Sequence, residues 1–220
     1  MSFALNGVDI EDTFAEGFRM WGARIIITAK NLKWANIAAR EMTGFATSVI
    51  ACDCEAGIER EIPSEETPNG RPGVSVIIFG FSKKRLSKSM LNRIGQCVLT
   101  CPTTAIFNGI PEEEADDMLD VGTSLRFFGD GYQVKMRMGD GWGKRQRFWR
   151  IPVMAGEFLV EAKFGAVKAV AGGNFLVMGE NEDVTLEASE RAVEAILKVP
   201  GVIAPFPGGL CRSGSKVGST

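Results

Sequence analysis

The 220-residue sequence is 45% apolar and 24% charged, and its formal net charge is −2. This composition predicts a globular protein with its own core, and the small negative charge excludes a nucleic-acid footprint spread over the whole molecule. The sequence has no histidine, which excludes Ser-His-Asp and Cys-His catalysis as well as zinc sites of the H-E-x-x-H type.

The N-terminus and the apolar runs indicate neither export nor a membrane span. The first residues, MSFALNGVDIEDTF, have an acidic character and lack the basic region and apolar block of a signal peptide. The longest apolar runs, such as VSVIIFGF at 74–81, have the length of a strand. A span would need roughly 18 residues or more. We therefore predict a cytoplasmic protein without a membrane partner.

Strands and helices alternate in the first part of the chain. The segment RIIITA (24–29) predicts a strand, and KWANIAAREMTG (33–44) predicts a helix that Gly44 closes in a left-handed conformation. SVIAC (48–52) predicts the second strand, and the Pro-, Asn- and Gly-rich stretch 61–73 predicts a loop.

The third strand, 74–81, leads into a second helix for which Ser82 is the predicted N-cap. Its apolar stripe consists of residues spaced four apart, which are Leu86, Met90, Ile94 and Val98, and the helix is expected to stop before Pro102. Two more strands are predicted in SLRFFGDGY (124–132) and RFWRIPVM (147–154). This order predicts an α/β sandwich (α+β) of the ferredoxin-like split β-α-β type, and residues 1–154 are expected to form an independent lobe.

A second α/β unit begins near Gly156 and is expected to be incomplete. It comprises strands in EFLVEAKF and AVKAVAGGNFLVMG, a helix over 184–198 and a strand around 201–206. The apolar face of the helix consists of Leu186, Val193, Ile196 and Leu197, and Pro200-Gly201 ends the helix. Residues 155–220 would thus leave apolar surface and strand edges uncovered.

One stretch, KMRMGDGWGKRQRFWR (135–150), mixes cations with Trp142, Phe148 and Trp149. Such a mixture could stack bases and contact phosphates. The alternative is a twisted hairpin with a Gly-rich tip, in which the aromatic rings pack and the cations remain solvated. We favour the hairpin and predict no nucleic-acid partner, because the other signals of a nucleic-acid module are missing.

The five cysteines are spaced differently from common metal sites. Cys52 and Cys54 are two residues apart, whereas Cys97 and Cys101 lie at i and i+4 near the end of a predicted helix. Structural zinc sites use pairs on turns, often C-x-x-C. We therefore predict reduced cysteines that pack as small apolar groups and bind no metal.

Seven distinctive segments follow one another between Asn6 and Ser219. They are NGVDIEDTFAE (6–16), TGFATSVI (43–50), EETPNGRPGV (65–74), RIGQCVLTCPTTAIFNG (93–109), FFGDGYQ (127–133), AGGNFLV (171–177) and PFPGG…SGSKVGS (205–219). Together they resemble the formylmethanofuran:tetrahydromethanopterin formyltransferase family in the same order. The resemblance covers nearly the whole chain.

The resemblance implies a distal lobe at 1–154 and the N-terminal part of a proximal lobe at 155–220. It implies a cytoplasmic homo-oligomer of one-carbon metabolism in methanogenic or related archaea, with a parallel role in some methylotrophic bacteria. The reaction moves a formyl group from the amide nitrogen of formylmethanofuran to N5 of tetrahydromethanopterin. These coenzymes are substrates, and no tightly bound cofactor is implied. Such chemistry needs orientation, oxyanion stabilisation and proton transfer, which require no histidine or metal.

Two Gly-containing turns are the candidate substrate-binding elements. The resemblance favours a substrate cleft formed by Gly172, Gly173, Asn174, Phe206, Gly208, Gly209, Ser213, Ser215 and Lys216. Glycine lets backbone approach a ligand closely, and the Ser and Lys side chains offer donors. The alternative is that these glycines only permit tight turns. For Asp130 and Tyr132 in FFGDGYQ, ordinary turn chemistry is the favoured explanation.

The resemblance also implies that family members continue beyond the SGSKVGS loop and Thr220. The carboxylate proposed to face the tetrahedral intermediate is a glutamate in that further part, so we name no catalytic residue between Met1 and Thr220. We expect residues 1–220 by themselves to catalyse little formyl transfer unless a second chain supplies the rest of the proximal lobe. Two functions remain open, which are an active formyltransferase and a non-catalytic paralogue that acts as a binding or assembly subunit.

Overall fold

The computed structural model describes residues 2–11, 17–49, 51–139, 145–154 and 156–212. The strands within them are β1 (Ser2–Leu5), β2 (Val8–Glu11), β3 (Phe18–Thr28), β4 (Glu55–Ile62), β5 (Gly73–Gly80), β6 (Ala105–Asn108), β7 (Asp117–Leu119), β8 (Val134–Gly139), β9 (Arg145–Val153), β10 (Gly156–Glu161) and β11 (Phe164–Ala171). The α-helices are α1 (Leu32–Thr43), α2 (Lys83–Arg93), α3 (Val121–Leu125) and α4 (Glu182–Ile196). None of the described helices has the length and apolarity to cross a bilayer.

The ferredoxin-like unit is formed by β3, α1, β4, β5, α2 and β6. Its four strands lie in the order β4-β5-β3-β6, and each neighbouring pair is antiparallel. This is the split β-α-β arrangement that the sequence predicts, because β5 separates the two parallel strands of the first β-α-β segment. The predicted fold class is confirmed.

The main sheet extends beyond this unit. Strand β10 pairs in parallel with β6, and β9 and β8 continue the sheet as an antiparallel hairpin. Strand β11 pairs with the first half of β3 and also with β7. Strands from both sides of the expected lobe boundary near residue 155 therefore share one sheet. A separate two-stranded sheet contains β1 and β2.

The principal core lies between the sheet and helices α1 and α2. Helix α1 buries Ala35, Ala38, Ala39 and Met42, whose three- and four-residue spacing gives one continuous face. The predicted stripe Leu86, Met90, Ile94 and Val98 is completely buried. Its last two residues belong to a π-helical turn, Ile94–Val98, that follows α2. The opposite face of the sheet, called here the outer face, holds a smaller cluster in which Phe107 and Phe148 meet edge to face.

Both core helices begin at a side-chain cap. The Asn31 side chain accepts a hydrogen bond from the Trp34 amide, and Ser82 accepts one from the Arg85 amide as predicted. The end of α1 differs from the prediction. Gly44 is extended at φ −57°, and the left-handed residue is Phe45 at φ +61°.

Three predicted strands are wrong. The described residues of 48–52, which are 48, 49, 51 and 52, have no strand structure, Ala51 has φ +67°, and the second strand is instead β4. Residues 124–132 form the end of α3 and a 3-10 turn, and the short strand β6 takes the predicted place of this strand in the sheet. No strand forms at 201–206, which has no regular structure before a 3-10 turn at Pro207–Gly209.

The remaining elements of the second unit agree more closely with the prediction. Strands β10 and β11 and helix α4 are present, although β11 ends at Ala171 and 172–179 has no regular structure. On the predicted apolar face of α4, Val193 is buried, whereas Leu186 is 48% exposed and Leu197 is 43% exposed. Within the described residues, this face is therefore only partly covered.

Candidate functional site

A buried carboxylate joins the sheet to the segment after α4. Glu59 Oε2 accepts hydrogen bonds from Arg24 Nε at 2.8 Å and from Ser75 Oγ at 2.6 Å. Its Oε1 accepts from Arg24 Nη2 and from the Gly201 amide, both at 2.8 Å. Only 8% of the Glu59 side chain is exposed. Each carboxylate oxygen thus has two donors, which is the satisfaction that a buried charge requires.

The environment of Glu59 favours its charged form. Burial works to raise the pKa of this carboxyl, but hydrogen bonds from Arg24, Ser75 and the Gly201 amide outweigh burial and lower its pKa. Glu59 lies where the pairing of β4 with β5 shifts register between Ile58 and Arg60. Such a bulge can re-aim a side chain, here toward Arg24 and Ser75 on the outer face.

A pocket of about 130 Å³ lies beside this network on the outer face. Arg24 and Gly201 contribute to its wall, and the rest of the wall is mainly apolar, including Ile77, Phe79 and Val167. The pocket is smaller than the roughly 300 Å³ or more typical of a complete small-molecule site. It can hold only a part of a larger ligand.

The segment 201–206 rests on the outer face at a second point. The nearest neighbour of a Cβ at Gly57 would be Ile203 Cβ, only 2.9 Å away. A side chain at position 57 would therefore displace Ile203, and glycine is required there for close approach. Glu59 and Gly57 together place this segment over β4.

The first predicted Gly turn contains one packed and one open glycine. Gly172 has φ +93°, and a Cβ there would lie 2.5 Å from the Phe18 ring. At Gly173 no atom of the described residues beyond its two chain neighbours lies within 4 Å of the corresponding position, and Asn174 is exposed. The tight-turn explanation accounts for Gly172, whereas the backbone at Gly173 is open to a ligand.

The second predicted turn has the same pattern. Gly209, at φ +78°, is packed so that a Cβ would lie 2.6 Å from Val193 of α4. Gly208, at φ +61°, has no neighbour at this position among the residues that the structure describes, and Phe206 is half-buried. The nearest neighbours of Gly172 and of Gly209 belong to different elements, so these contacts do not join the two turns into one site.

The last part of the expected cleft follows the described residues in the sequence. Ser213, Ser215 and Lys216 lie outside the described residues, as does Thr220. The resemblance places the family carboxylate beyond Thr220. No residue that the structure describes is therefore given its catalytic role. Its position stays a prediction from the resemblance.

The FFGDGYQ segment has the properties of a turn. Asp130 is left-handed at φ +47°, a conformation that Asp tolerates better than most residues. The Tyr132 amide donates to the Gly129 carbonyl at 2.8 Å, and the Tyr132 side chain is 78% exposed. Turn chemistry explains the position of Asp130 without a ligand.

The basic stretch forms the predicted hairpin. Strands β8 and β9 pair antiparallel, and the tip at 140–144, which includes Trp142, lies outside the described residues. Phe148 is buried, and Trp149 is partly buried against the principal core. Arg126 lies 5.0 Å and Lys135 lies 5.9 Å from the Trp149 ring centroid. Phe148 and Trp149 therefore pack within the fold, as the hairpin interpretation requires.

The cysteines are all unpaired thiols in the structure. Cys54 is fully buried, and burial raises the pKa of its thiol to about 11 even though Arg93 acts to lower it. Among the residues that the structure describes, no group of three or more Cys, Asp or Glu side chains is arranged to hold a metal ion. The reduced, metal-free state stays a prediction.

Sequence reasoning missed Glu59, Arg24 and Ser75 as a group. The available signal was charge within otherwise apolar strands, since Arg24 precedes IIIT and Glu59 lies within GIEREI. Charges in such positions are rarely buried without a partner. Which partner they take depends on strand pairing across 35 residues and on the bulge in β4.

Comparisons with protein families match almost the whole chain. The family model described as "Formylmethanofuran-tetrahydromethanopterin formyltransferase" matches residues 3–153, and the one described as "FTR, proximal lobe" matches residues 156–220. The junction between these matches lies within two residues of the expected lobe boundary.

Curated relatives come from both bacteria and archaea. Formylmethanofuran--tetrahydromethanopterin formyltransferase of Methylococcus capsulatus is 57% identical over 215 residues, which cover 98% of this chain and 70% of the relative. The protein of the same name from Methanocaldococcus jannaschii is 54% identical over 216 residues, with the same coverage of 98% and 70%. Archaea alone are therefore too narrow a description of the source of such proteins, and bacterial relatives agree with the parallel bacterial role that the resemblance implies.

Solved structures with high sequence identity share the fold. A chain in the crystal structure of the formyltransferase/hydrolase complex FhcABCD from Methylorubrum extorquens, determined with methylofuran, is 52% identical with a TM-score of 0.94. The match covers 100% of this chain and 71% of that one. The formyltransferase from Methanosarcina barkeri is 49% identical with a TM-score of 0.88, over 99% and 71% of the two chains.

Proposed function

The chain belongs to the formylmethanofuran–tetrahydromethanopterin formyltransferase family, and we propose that it acts in formyl transfer from formylmethanofuran to N5 of tetrahydromethanopterin. The observation that carries this proposal is the extent of the likeness. Relatives of this name are 57% and 54% identical over 98% of the chain. At such identity the fold is retained, as the TM-score of 0.94 illustrates.

The proposed reaction exchanges one C–N bond for another. The N5 amine of the pterin attacks the formyl carbon, and the tetrahedral intermediate carries an oxyanion. The bond to the methanofuran nitrogen then breaks. The attacking nitrogen loses one proton, and the leaving nitrogen gains one. Neither oxidation nor reduction occurs. The protein must hold two coenzymes together, supply donors to the oxyanion and conduct protons.

The described residues can contribute binding surfaces to this reaction. We propose that the open backbone at Gly173 and Gly208 approaches the substrates, with Asn174 and Phe206 beside these two turns. Gly172 and Gly209 shape the turns by packing on Phe18 and Val193. The contribution of Ser213, Ser215 and Lys216 remains a proposal from the family resemblance. No catalytic residue is assigned within the chain.

We further propose that the protein works in the cytoplasm as part of an oligomer and holds its coenzymes as dissociable substrates. A relative in Methylorubrum extorquens, 54% identical over 98% of this chain, is named as one subunit of a formyltransferase/hydrolase complex. Its assembly supports an oligomeric state for this protein. The number and identity of subunits would be measured by mass photometry of the purified protein.

A two-arm assay tests the proposed function. The purified protein is incubated with formylmethanofuran and tetrahydromethanopterin, and the formylated pterin is followed over time. The second arm adds a polypeptide that covers the part of the Methylococcus capsulatus relative outside the match, about 30% of its length since 70% is matched. Product in either arm supports formyl transfer. No product in either arm, with the whole relative active as control, would contradict it.

A further inference from the structure

The segment 201–206, called here the anchored segment, connects α4 to the proposed substrate-binding turn at Phe206–Gly209. It begins at Gly201, whose amide donates to Glu59 at 2.8 Å. Phe206 lies five positions after Gly201, a reach of at most about 17 Å when the chain is extended. Fixing Gly201 therefore limits where Phe206 and the following glycines can lie.

The Glu59 carboxylate, which binds Gly201, is itself held in place by side chains of the sheet. Arg24 grips both carboxylate oxygens at 2.8 Å, and Ser75 adds a hydrogen bond of 2.6 Å. Arg24 and Ser75 lie on β3 and β5, the central strands of the ferredoxin-like unit. Among the four hydrogen bonds described for this carboxylate, the one from Gly201 alone comes from outside the sheet. Two-point binding of guanidinium fixes the direction of the carboxylate as well as its position.

The backbone geometry at Gly201, which donates this hydrogen bond, also favours its position against Glu59. Gly201 has φ +80°, which favours glycine, and it follows Pro200. Ile203 packs over Gly57, two positions before Glu59 on the same strand. The anchored segment is thus held by one polar and one apolar contact, and Gly209 beyond its far end packs on Val193.

From this geometry we propose that Glu59 is a positioning residue for substrate binding. Glu59 does not touch the reacting atoms; it fixes the anchored segment and thereby sets the place of Phe206, Gly208 and Gly209 relative to the sheet. Arg24 acts through Glu59 by holding the carboxylate. The effect on substrate rests on the proposed function, whereas the effect on the segment does not.

The test compares Glu59→Ala and Glu59→Gln with Glu61→Ala. Glu61 is a matched control because it lies on the same strand but is exposed, and its carboxylate accepts a hydrogen bond from the half-buried Asn36 at 2.8 Å. Hydrogen exchange of the amides at 201–206 is measured under native conditions. We expect Glu59→Ala to accelerate exchange of this segment at least about 10-fold, Glu59→Gln to accelerate it less, and Glu61→Ala to leave it unchanged.

Kinetics with formylmethanofuran supplies the second readout, in whichever assay arm is active. We expect Glu59→Ala to raise KM by about 10-fold with a smaller change in kcat, and Glu59→Gln to recover most of the loss, because Gln can still accept from Gly201. Unchanged exchange at 201–206 in both Glu59 variants would overturn the positioning role. Faster exchange with unchanged KM would overturn its link to substrate. If the parent protein shows no turnover in either assay arm, the proposed function is contradicted, and the exchange experiment still tests whether Glu59 holds the anchored segment. If Glu59→Ala does not fold, the exchange rates of Glu59→Gln provide this test.

Discussion

At the residue scale, the clearest case of charge determining structure is the Glu59 carboxylate. Arg24, Ser75 and the Gly201 amide outweigh the effect of burial and lower the pKa of Glu59 below its ordinary value of 4.5. A carboxyl with a lowered pKa in the folded state stabilises that state above its unfolded pKa. This stabilisation is lost as the pH falls through the folded pKa. The relevant window therefore begins near pH 4.5 and extends to lower pH.

We predict that Glu59→Gln is less stable than the parent at pH 7 and that the difference shrinks as the pH falls below about 4. Protonated Glu59 is neutral and nearly isosteric with Gln, so the two proteins converge in acid. Urea unfolding at a series of pH values measures this difference. Glu61→Gln is the control, and a Glu59→Gln difference that is constant or grows toward low pH would refute the assignment.

Gly122 provides a steric test of how α3 meets the sheet. A Cβ at Gly122 would lie 1.8 Å from the Glu161 carbonyl oxygen, which belongs to the backbone of β10 and cannot rotate away. We predict that Gly122→Ala lowers the free energy of unfolding by at least about 2 kcal/mol, because overpacking must move α3 or β10. Urea unfolding provides the measurement.

Gly173→Ala is the matched control for Gly122→Ala. In the described part of the chain, no atom beyond its two chain neighbours lies within 4 Å of its Cβ position, and its φ is outside the left-handed region. The free energy of unfolding should change by no more than about 0.5 kcal/mol. Equal effects of the two substitutions would show that α3 does not approach β10 as described.

Residue identity alone could not predict the candidate network. Arg24 and Glu59 are 35 residues apart, and their contact depends on strand order and on the irregular pairing in β4. Glycine was more informative, because its presence at positions 172, 173, 208 and 209 predicts turns whose positive φ values are observed at three of the four positions. The sequence could not tell which glycine is packed and which is open, since that depends on Phe18 and Val193.

At the element scale, local signals predicted helices better than strands. Helix α1 forms where it is predicted, α2 follows the predicted apolar spacing, and Ser82 is the cap of α2 as expected. SVIAC at 48–52 has strand-forming residues, yet its described residues form no strand, because Glu55–Ile62 pairs with β5 instead. The sequence did not indicate β4 as a strand, because charged residues interrupt its apolar pattern and their side chains lie partly outside the core.

Leucines of α2 and α4 provide an element-scale prediction. Leu86 of α2 is fully buried in the principal core, whereas Leu186 of α4 is 48% exposed. We predict that Leu86→Ala lowers the free energy of unfolding by about 2–5 kcal/mol, because it leaves a cavity. Leu186→Ala should cost less than about 1 kcal/mol. Similar losses in urea unfolding would contradict the burial assigned to the two helices.

At the scale of the whole molecule, the ferredoxin-like topology was predictable from the alternation of elements, but the extent of the sheet was not. Strand β11 pairs with β3, and β10 pairs with β6, so residues 156–171 extend the sheet of the first lobe. These pairings join distant parts of the chain and leave no local signal. Family resemblance could predict the function but not the Arg24–Glu59 anchor, because the anchor depends on contacts within this fold.

The central claim is that the chain acts in formyl transfer, and one measurement tests it most directly. Purified protein is incubated with formylmethanofuran and tetrahydromethanopterin, with and without the polypeptide covering the unmatched part of the Methylococcus capsulatus relative, and formyl-tetrahydromethanopterin is quantified. The account predicts formation of this product in at least one arm, in proportion to the amount of this protein added. Absence of product in both arms, while the whole relative is active under the same conditions, would contradict the account.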